Sequence, residues 1–365
     1  MKSTASFAHS QRCCFYRLPA LSLARRSFST ATPRLHKDDE STAVWKLTQE
    51  DVSHYWTGYL ATRPKYTDAF YNHIYHYHAA HSQSAPPGFT IAHDVGAGPG
   101  QVSAKLAQRF SHVVVSDNNK NHVDYAKHFL ATCGVPASRL SFAVAKGEDL
   151  GATYPHASAD LVVSALMFPL METTAALRSF RSLLKPGGTL AVWFYGRAHF
   201  AEVEYAGRCQ PLLDRIINHH FSGVIAGEGS PEHTAGWKHV ADGIASWLDY
   251  IPFAEETWGC VERHKWNTQW TSLGFFGNEA CNFPVQPISS VTPAEIVVER
   301  EDRGLWRKDW DVDQLREFVD YIYPFQRMDQ DSVKPLWAQL GSEMGGLHAR
   351  RAFSWPVVLI LATRK

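Results

Sequence analysis

The sequence lacks the paired cysteines of a zinc module or a disulfide-rich domain. Its six cysteines are scattered over 365 residues and form no CxxC pair. Such spacings mark structural zinc sites and secreted disulfide scaffolds, so neither class is indicated. Long apolar runs are lacking too, since the stretch at residues 356–362 is far shorter than the ~20 residues that a membrane helix needs. We therefore expect a protein without a membrane span.

Acidic residues are absent from the first 37 positions, which hold seven of the 36 basic residues. The rest of the chain then has 29 basic and 36 acidic residues, and its net charge is negative. A negatively charged protein repels the phosphate backbone of a nucleic acid. We therefore expect a small-molecule partner rather than nucleic acid, while the sequence leaves the oligomeric state open.

The acid-free segment 1–37 is rich in arginine and serine, with phenylalanine and leucine interspersed. This composition predicts a mitochondrial transit peptide and a location in the matrix. Residues 26–30, RSFST, also resemble a matrix-protease cleavage site. A disordered basic tail on a cytoplasmic protein is the alternative, because Pro19 interrupts the amphipathic helix that import would use.

From Thr90 onward, short apolar runs alternate with helical periodicity, as in a doubly wound α/β sheet. We predict strands at 90–95, 112–116, 140–145, 160–164, 189–195, 261–266 and 357–363. The helix before the fifth strand should end at residues 185–188, KPGG. Proline cannot continue a helix, and glycine readily takes the left-handed cap.

The chain divides into five predicted segments. They are a transit peptide (1–37), an N-terminal helical cap (38–88), a ligand-binding core (89–200), a tryptophan-rich lid or insertion with late core elements (201–346) and a terminal core strand (347–365). The boundaries within 201–346 are the least defined, because its pattern of apolar residues is hard to assign.

A glycine-rich turn follows the first predicted strand, where an open α/β sheet binds its ligand. Gly96, Gly98 and Gly100 have the spacing G-x-G-x-G, whereas a dinucleotide fingerprint would place its third glycine at Gln101. A nicotinamide oxidoreductase is therefore the weaker interpretation. Asp94, just before the turn, would repel a pyrophosphate but suit an ammonium group. S-adenosylmethionine has that ammonium and no phosphate.

Two later loops complete the predicted cofactor site. Asp117 ends the second strand, where a carboxylate can accept both ribose hydroxyls, and Asn118 follows it. This placement supports an adenosine ligand without separating the methyl donor from a dinucleotide, and a solvated turn residue is the alternative. Gly147 and Glu148 follow the third strand, where they would meet an adenine edge unless they form a solvated loop.

Three further motifs strengthen this interpretation. They are Arg63-Pro64-Lys65-Tyr66, Asp160-Leu-Val-Val163 and Leu184-Lys-Pro-Gly-Gly188. With them, the sequence over about residues 55–195 resembles the class I methyltransferases, and among these the fungal type related to trans-aconitate methyltransferase. The resemblance implies a Rossmann-like seven-stranded sheet with an inserted helical lid, a methyltransferase activity and S-adenosylmethionine as cofactor. It also implies that Asp94 and the glycines line the methionine and ribose, that Asp117 takes the ribose hydroxyls, and that Gly147 and Glu148 lie beside adenine.

The acceptor is less closely defined. Many members of the resembling family carry a His-Trp pair where this chain has Pro169-Leu170. The loop 166–171 is apolar, which favours a less polar acceptor than a tricarboxylate unless the loop only packs. We expect O-methylation of a small organic acid or a secondary-metabolite hydroxyl by direct displacement, with C- or N-methylation as alternatives. A mitochondrial methyltransferase-like assembly factor with little or no catalysis is the alternative.

Several other side chains are candidates for the site. Arg63 and Tyr66 are expected to clamp the donor carboxylate or an acidic acceptor, with helix packing as the alternative. His54 and His199 are better explained as structural than as a general base, so no catalytic residue is assigned. Four histidines, at positions 73, 76, 78 and 81, could share helix faces, but no carboxylate stands among them, and we expect no metal.

Overall fold

The computed structural model describes residues 49–84, 86–227, 229–270, 273–325 and 329–365. The predicted transit peptide and the start of the predicted cap lie outside these ranges. No helix within them is both long and apolar enough to cross a membrane. The described residues belong to one compact unit, Glu40–Lys365, so the segment boundaries given above stay predictions.

Helices and strands alternate through the first half of the described chain. They are α1 (Gln49–Thr62), α2 (Asp68–His81), β1 (Ile91–Val95), α3 (Gln101–Leu106), β2 (His112–Asp117), α4 (Lys120–Thr132), β3 (Leu140–Val144), α5 (Leu150–Thr153), β4 (Ala159–Ala165), α6 (Thr173–Leu183) and β5 (Leu184–Tyr195). The first four predicted strands are confirmed to within about a residue at each end, which is the ordinary uncertainty of such boundaries.

The second half adds helices and further strands. They are β6 (His199–Phe200), α7 (Val203–Ala226), α8 (Pro231–Ala245), β7 (Trp258–Trp266), β8 (Ile296–Arg300), β9 (Lys308–Trp310), α9 (Val312–Asp320), α10 (Lys334–Glu343), β10 (Arg351–Ser354) and β11 (Val357–Arg364). The segment 201–346 therefore contains helices together with core strands, as expected. The short strands β6, β9 and β10 form a small separate sheet that the sequence did not predict.

Eight strands form the central sheet, in the order β3-β2-β1-β4-β5-β11-β7-β8. The strands β1 to β5 are parallel, and β11 runs antiparallel between β5 and β7. The doubly wound α/β sheet is confirmed. The seven strands from β3 to β7 match the predicted number, and β8 extends them because it pairs in parallel with β7. The side chains of residues 357–362 are at most 1% exposed, which confirms a buried last strand.

The start of β5 corrects the predicted end of the preceding helix. Leu184 is already extended and pairs with Ala159, while the register shifts before the pair Thr189–Leu161. Gly187 has a left-handed φ of 75°, but it lies inside this irregular strand. The predicted glycine cap is therefore wrong, because strand pairing begins at Leu184 and the helix has already ended when the glycines are reached.

A buried guanidinium ties β7 to the loops beside it. Arg263 is 0% exposed, and its Nε donates to Glu295 Oε2 at 2.6 Å. Its two terminal nitrogens donate to the carbonyl oxygens of Leu248 at 3.0 Å and Ile251 at 2.8 Å. These acceptors replace the water that the buried guanidinium loses. Glu295 is the charged one among them, so it compensates the positive charge of Arg263.

We expect Glu295→Gln to lower the free energy of unfolding by about 3 kcal/mol, because it leaves Arg263 buried with less compensation. Urea unfolding of the two proteins measures the difference. Glu299 is exposed on neighbouring β8, and the matched control Glu299→Gln should change stability by less than about 0.5 kcal/mol. Equal effects of the two substitutions would contradict this role of Glu295.

Candidate functional site

The glycine turn lies at the carboxyl ends of β1 and β4, where the strand order reverses. Gly96, Gly98 and Gly100 have φ values of 68°, 51° and 86°, in the region that favours glycine. A Cβ atom on Gly96 would lie 2.6 Å from Met167 Cγ, and one on Gly98 would lie 3.0 Å from the Trp56 ring. The helix α3 then begins at Gln101, with Gly100 as its N-cap. Both conformation and space therefore require glycine in this turn.

Asp94 is a buried carboxylate directly before the turn. It is 1% exposed, and its Oδ2 accepts a hydrogen bond from Ser103 Oγ at 2.6 Å. Burial raises the pKa of Asp94 to about 7, although the bond from Ser103 opposes the shift. Among the described residues, no basic side chain forms an ion pair with Asp94. A buried carboxylate without a protein counter-ion fits the ammonium group of the predicted cofactor.

Asp117 joins β2 to the glycine turn. Its Oδ2 accepts from the Gly98 amide at 3.0 Å, and its Oδ1 accepts from the Asn119 amide at 3.0 Å. The Nδ1 atom of His122 lies 3.2 Å from the same Oδ1. A carboxylate offers about four acceptor positions, so ribose binding would use the free position and require the longer contact to His122 to open. Asn118, beside it, is exposed.

The loop after β3 places its two predicted residues differently. Gly147 is buried against the end of β1, where an added Cβ would lie 2.9 Å from Val95 Cγ1, and its carbonyl oxygen accepts from Ser179 Oγ at 2.7 Å. Glu148 instead accepts from the Glu172 amide at 2.9 Å, at the start of α6. Gly147 therefore lies with the glycine turn, and the contact of Glu148 with adenine stays a prediction.

Arg63 and Tyr66 lie over the end of β5, two strands from Asp94. Arg63 is 3% exposed and donates to the Tyr195 hydroxyl at 3.0 Å and to the Ile322 carbonyl at 2.9 Å. Its Nε is buried without a hydrogen-bond partner, and in the described chain it forms no ion pair with a carboxylate. The role of both residues as a clamp stays a prediction, and the structure separates them from the ammonium end of the site.

Four aromatic rings lie around this guanidinium, those of Tyr59, Tyr195, Phe275 and Phe318. Tyr195 and Phe275 also belong to a larger group of rings in mutual contact, which we call the β5 aromatic cluster. Its members are Tyr66, Phe70, Trp193, Tyr195, Phe275 and Trp306. The indole nitrogen of Trp306 is buried without a hydrogen-bond partner. Trp306 also has a φ of 53°, a strained conformation that non-glycine residues rarely adopt. Buried donors without acceptors indicate that a ligand here would offer oxygen acceptors.

The apolar loop after β4 lies between the two halves of the site. Leu166 has a φ of 64°, and its amide donates to the Trp193 carbonyl at 2.9 Å. Met167 follows and contacts Gly96, while Pro169 is buried and Leu170 is exposed. The loop therefore connects the glycine turn with the β5 aromatic cluster.

The candidate bases have structural contacts. His54 is exposed, with its Nε2 3.2 Å from the Tyr321 hydroxyl. His199 is buried in the small sheet and stacks on Trp270 at 4.6 Å, and burial lowers its pKa to about 4. Sequence reasoning missed the contacts of Ser103, His122, Trp56, Phe275 and Trp306. For Trp306, the one available signal in the sequence was the tryptophan content of segment 201–346.

Comparison with known proteins places this geometry in a family. A family described as "Methyltransferase domain" matches residues 92–188, from β1 into β5. Methyltransferase pgmE of Aspergillus terreus is 41% identical over 331 residues, which are 89% of this chain and 97% of its own length. Methyltransferase ptaI of Pestalotiopsis fici is 36% identical over 85% of this chain and 93% of its own length. Methyltransferase cfoB of Aspergillus candidus is 37% identical over 85% and 94% of the two chains.

These likenesses extend over nearly all of the chain rather than over the cofactor-binding core alone. They give no support to the alternative of an assembly factor, and the narrower likeness to trans-aconitate methyltransferase stays a prediction. Together with the unpaired carboxylate before the glycine turn, they identify the cofactor as S-adenosylmethionine. The chain belongs to the class I S-adenosylmethionine-dependent methyltransferases, and it is an enzyme of this family.

Proposed function

We propose that this methyltransferase methylates an oxygen atom of a small acceptor, either a secondary-metabolite hydroxyl or an organic acid. The observation that carries the proposal is Arg63, buried among aromatic rings without a carboxylate partner. Planar acceptors pack well against aromatic rings, and a phenolate or carboxylate pairs strongly with a guanidinium. The unpartnered indole nitrogen of Trp306 favours the same class of ligand.

Different residues of the chain would contribute to different parts of the reaction. Bound S-adenosylmethionine supplies a sulfonium methyl group, whose bond to sulfur breaks with the electron pair going to sulfur as the acceptor oxygen bonds to carbon. Asp94 would hold the donor ammonium and Asp117 the ribose. Arg63 would keep the acceptor oxygen ionised, so that its proton has left before transfer and no dedicated base is needed. The surrounding rings would exclude water and align the acceptor.

Product analysis tests this function directly. The full chain is incubated with S-adenosylmethionine carrying a labelled methyl group and a panel of phenols, carboxylic acids, amines and carbon nucleophiles. We expect labelled methyl ethers or esters, identified by mass spectrometry and by the NMR shift of the transferred methyl group. Products methylated on nitrogen or carbon would overturn the proposal, as would an absence of turnover with every phenol and acid while the donor still binds.

The ionisation of Asp94 makes donor binding depend on pH. The carboxylate is the form that pairs with an ammonium, and its pKa of about 7 means that acid converts it to the neutral form. We expect the affinity for S-adenosylmethionine to fall about tenfold from pH 7 to pH 5.5, measured by calorimetry. Asp94→Asn should bind weakly at both pH values and lose this dependence.

The same carboxylate should affect the stability of the free protein in the opposite sense. A folded-state pKa above the unfolded value contributes stability at low pH, and this stability is lost as the pH rises through 7. Asp94→Asn should therefore be more stable than the wild type at pH 8 while binding the donor less. A variant that loses both stability and donor binding would indicate misfolding instead.

A substitution of Arg63 tests whether its guanidinium binds the acceptor or the carboxylate of the methyl donor. We expect Arg63→Lys to raise the acceptor KM about tenfold, because the rigid, planar guanidinium with its fixed donors is lost, and to leave the Kd for S-adenosylmethionine unchanged. Lys65→Met changes an exposed residue of the same motif and is the matched control. A weaker donor Kd with an unchanged acceptor KM would assign Arg63 to the donor carboxylate instead. Thermal denaturation of each variant checks that the buried site remains folded.

A further inference from the structure

Three potential metal ligands converge where α2 packs against β7. Glu262 and His264 are two residues apart on the strand and therefore share one face of the sheet, and His73 reaches them from the helix. The Nε2 atoms of His73 and His264 are 3.1 Å apart, and Glu262 Oε2 lies 2.7 Å from His264 Nε2. All three ligand atoms lie within 4.8 Å of one another, as binding to a single ion requires.

We propose that His73, Glu262 and His264 bind a divalent transition-metal ion, with zinc as the best match. Two imidazoles and one carboxylate are a common ligand set for zinc, with bonds of about 2.1 Å. In a tetrahedron, such bonds place ligand atoms about 3.4 Å apart, so His73 and His264 need to spread by about 0.3 Å, and Glu262 and His264 by about 0.7 Å. His73 is half-buried and the Glu262 side chain is 23% exposed, which leaves a fourth position open to water.

The histidines of α2 therefore have different surroundings in the structure. His78 is bound elsewhere, with its ring nitrogens 2.9 Å from Thr189 Oγ1 and 2.8 Å from the Gly88 carbonyl, and His76 is exposed. Glu262 supplies the carboxylate that no residue near His73 in the sequence provides.

Arg300 opposes a cation at this site. Its terminal nitrogen lies 3.4 Å from His264 Nδ1, which favours the tautomer that carries its proton on Nε2. Metal binding needs the other tautomer, and the guanidinium must then turn away. Arg300 is exposed at the end of β8, and its guanidinium lies 5.7 Å from the centre of the Trp266 ring, so solvent offers it another position. Removing this side chain should therefore strengthen metal binding.

Metal binding would also tie α2 to the sheet. The same helix carries Phe70, whose ring is 5.5 Å from that of Trp193 in the β5 aromatic cluster. An ion held by His73 on α2 and by two residues of β7 would thus restrain the helix that covers this cluster. Because ligand binding to the folded state alone stabilises it, zinc should raise the thermal midpoint of unfolding.

The test is a titration of the metal-free full chain with ZnCl2 by calorimetry, together with CoCl2 as a spectroscopic probe. We expect one equivalent of metal to bind to each chain. Bound cobalt should give the visible absorption band of a low-symmetry site, and zinc should raise the thermal midpoint of unfolding. His73→Ala and Glu262→Gln should each weaken binding at least tenfold. His76→Ala, one turn further along α2, is the matched control and should bind as the wild type does. Arg300→Gln should bind more tightly.

Two outcomes would overturn the proposal. One is an absence of zinc binding by the wild type, and the other is equal weakening by His76→Ala, which would indicate adventitious surface binding. Glu262→Gln is nearly isosteric, so it remains informative if His73→Ala fails to fold. Repeating the titration with Cys260→Ser excludes a contribution from that exposed thiol. The experiment contains no methyl donor, so its result is independent of the proposed methylation.

Discussion

The reversal of strand order between β1 and β4 is the constraint on which the site depends. Loops that follow β1, β2 and β3 lie on one side of this point, and loops that follow β4 and β5 lie on the other. The first set brings Asp94, the glycine turn and Asp117 together. The second brings Met167 against Gly96 and places the aromatic rings about 10 Å from β1, two strand spacings away. One topological feature therefore creates adjacent places for a donor and an acceptor.

Two buried charges of opposite sign stand at these two places without an ionic partner in the described chain. Asp94 and Arg63 are too far apart in the sheet order to pair with each other. The raised pKa of Asp94 shows that burial disfavours its charged form in the free protein. A ligand that supplies an ammonium group would remove this cost, whereas a neutral analogue would not. Under the proposed function, selectivity for an ammonium at Asp94 would follow from desolvation already present in the fold, and Arg63 would offer its charge to an oxyanion.

The parts of the fold that the sequence predicts are those determined by local pattern. The apolar runs of β2, β4 and β11 are continuous because these strands are buried on both faces. The strand β8 was missed because it is short and largely exposed, and its pairing depends on the edge that β7 offers. The β5 aromatic cluster and the histidine–glutamate group join residues more than 100 positions apart. No spacing rule reveals such contacts, since tertiary packing alone brings them together.

The loop after β4 explains how this chain can act without the His-Trp pair of many related sequences. Position 169 is buried in the loop whose Met167 contacts Gly96, and a histidine there could take the acceptor's proton. Pro169 has no such group, and Leu170 adds only an apolar, exposed side chain. If the acceptor is methylated on oxygen, as we propose, its proton would be lost before methyl transfer, which is easiest for a phenol or an acid whose anion a fixed cation stabilises. The lack of a base in this loop and the buried Arg63 would then suit one requirement, an acceptor that arrives ionised.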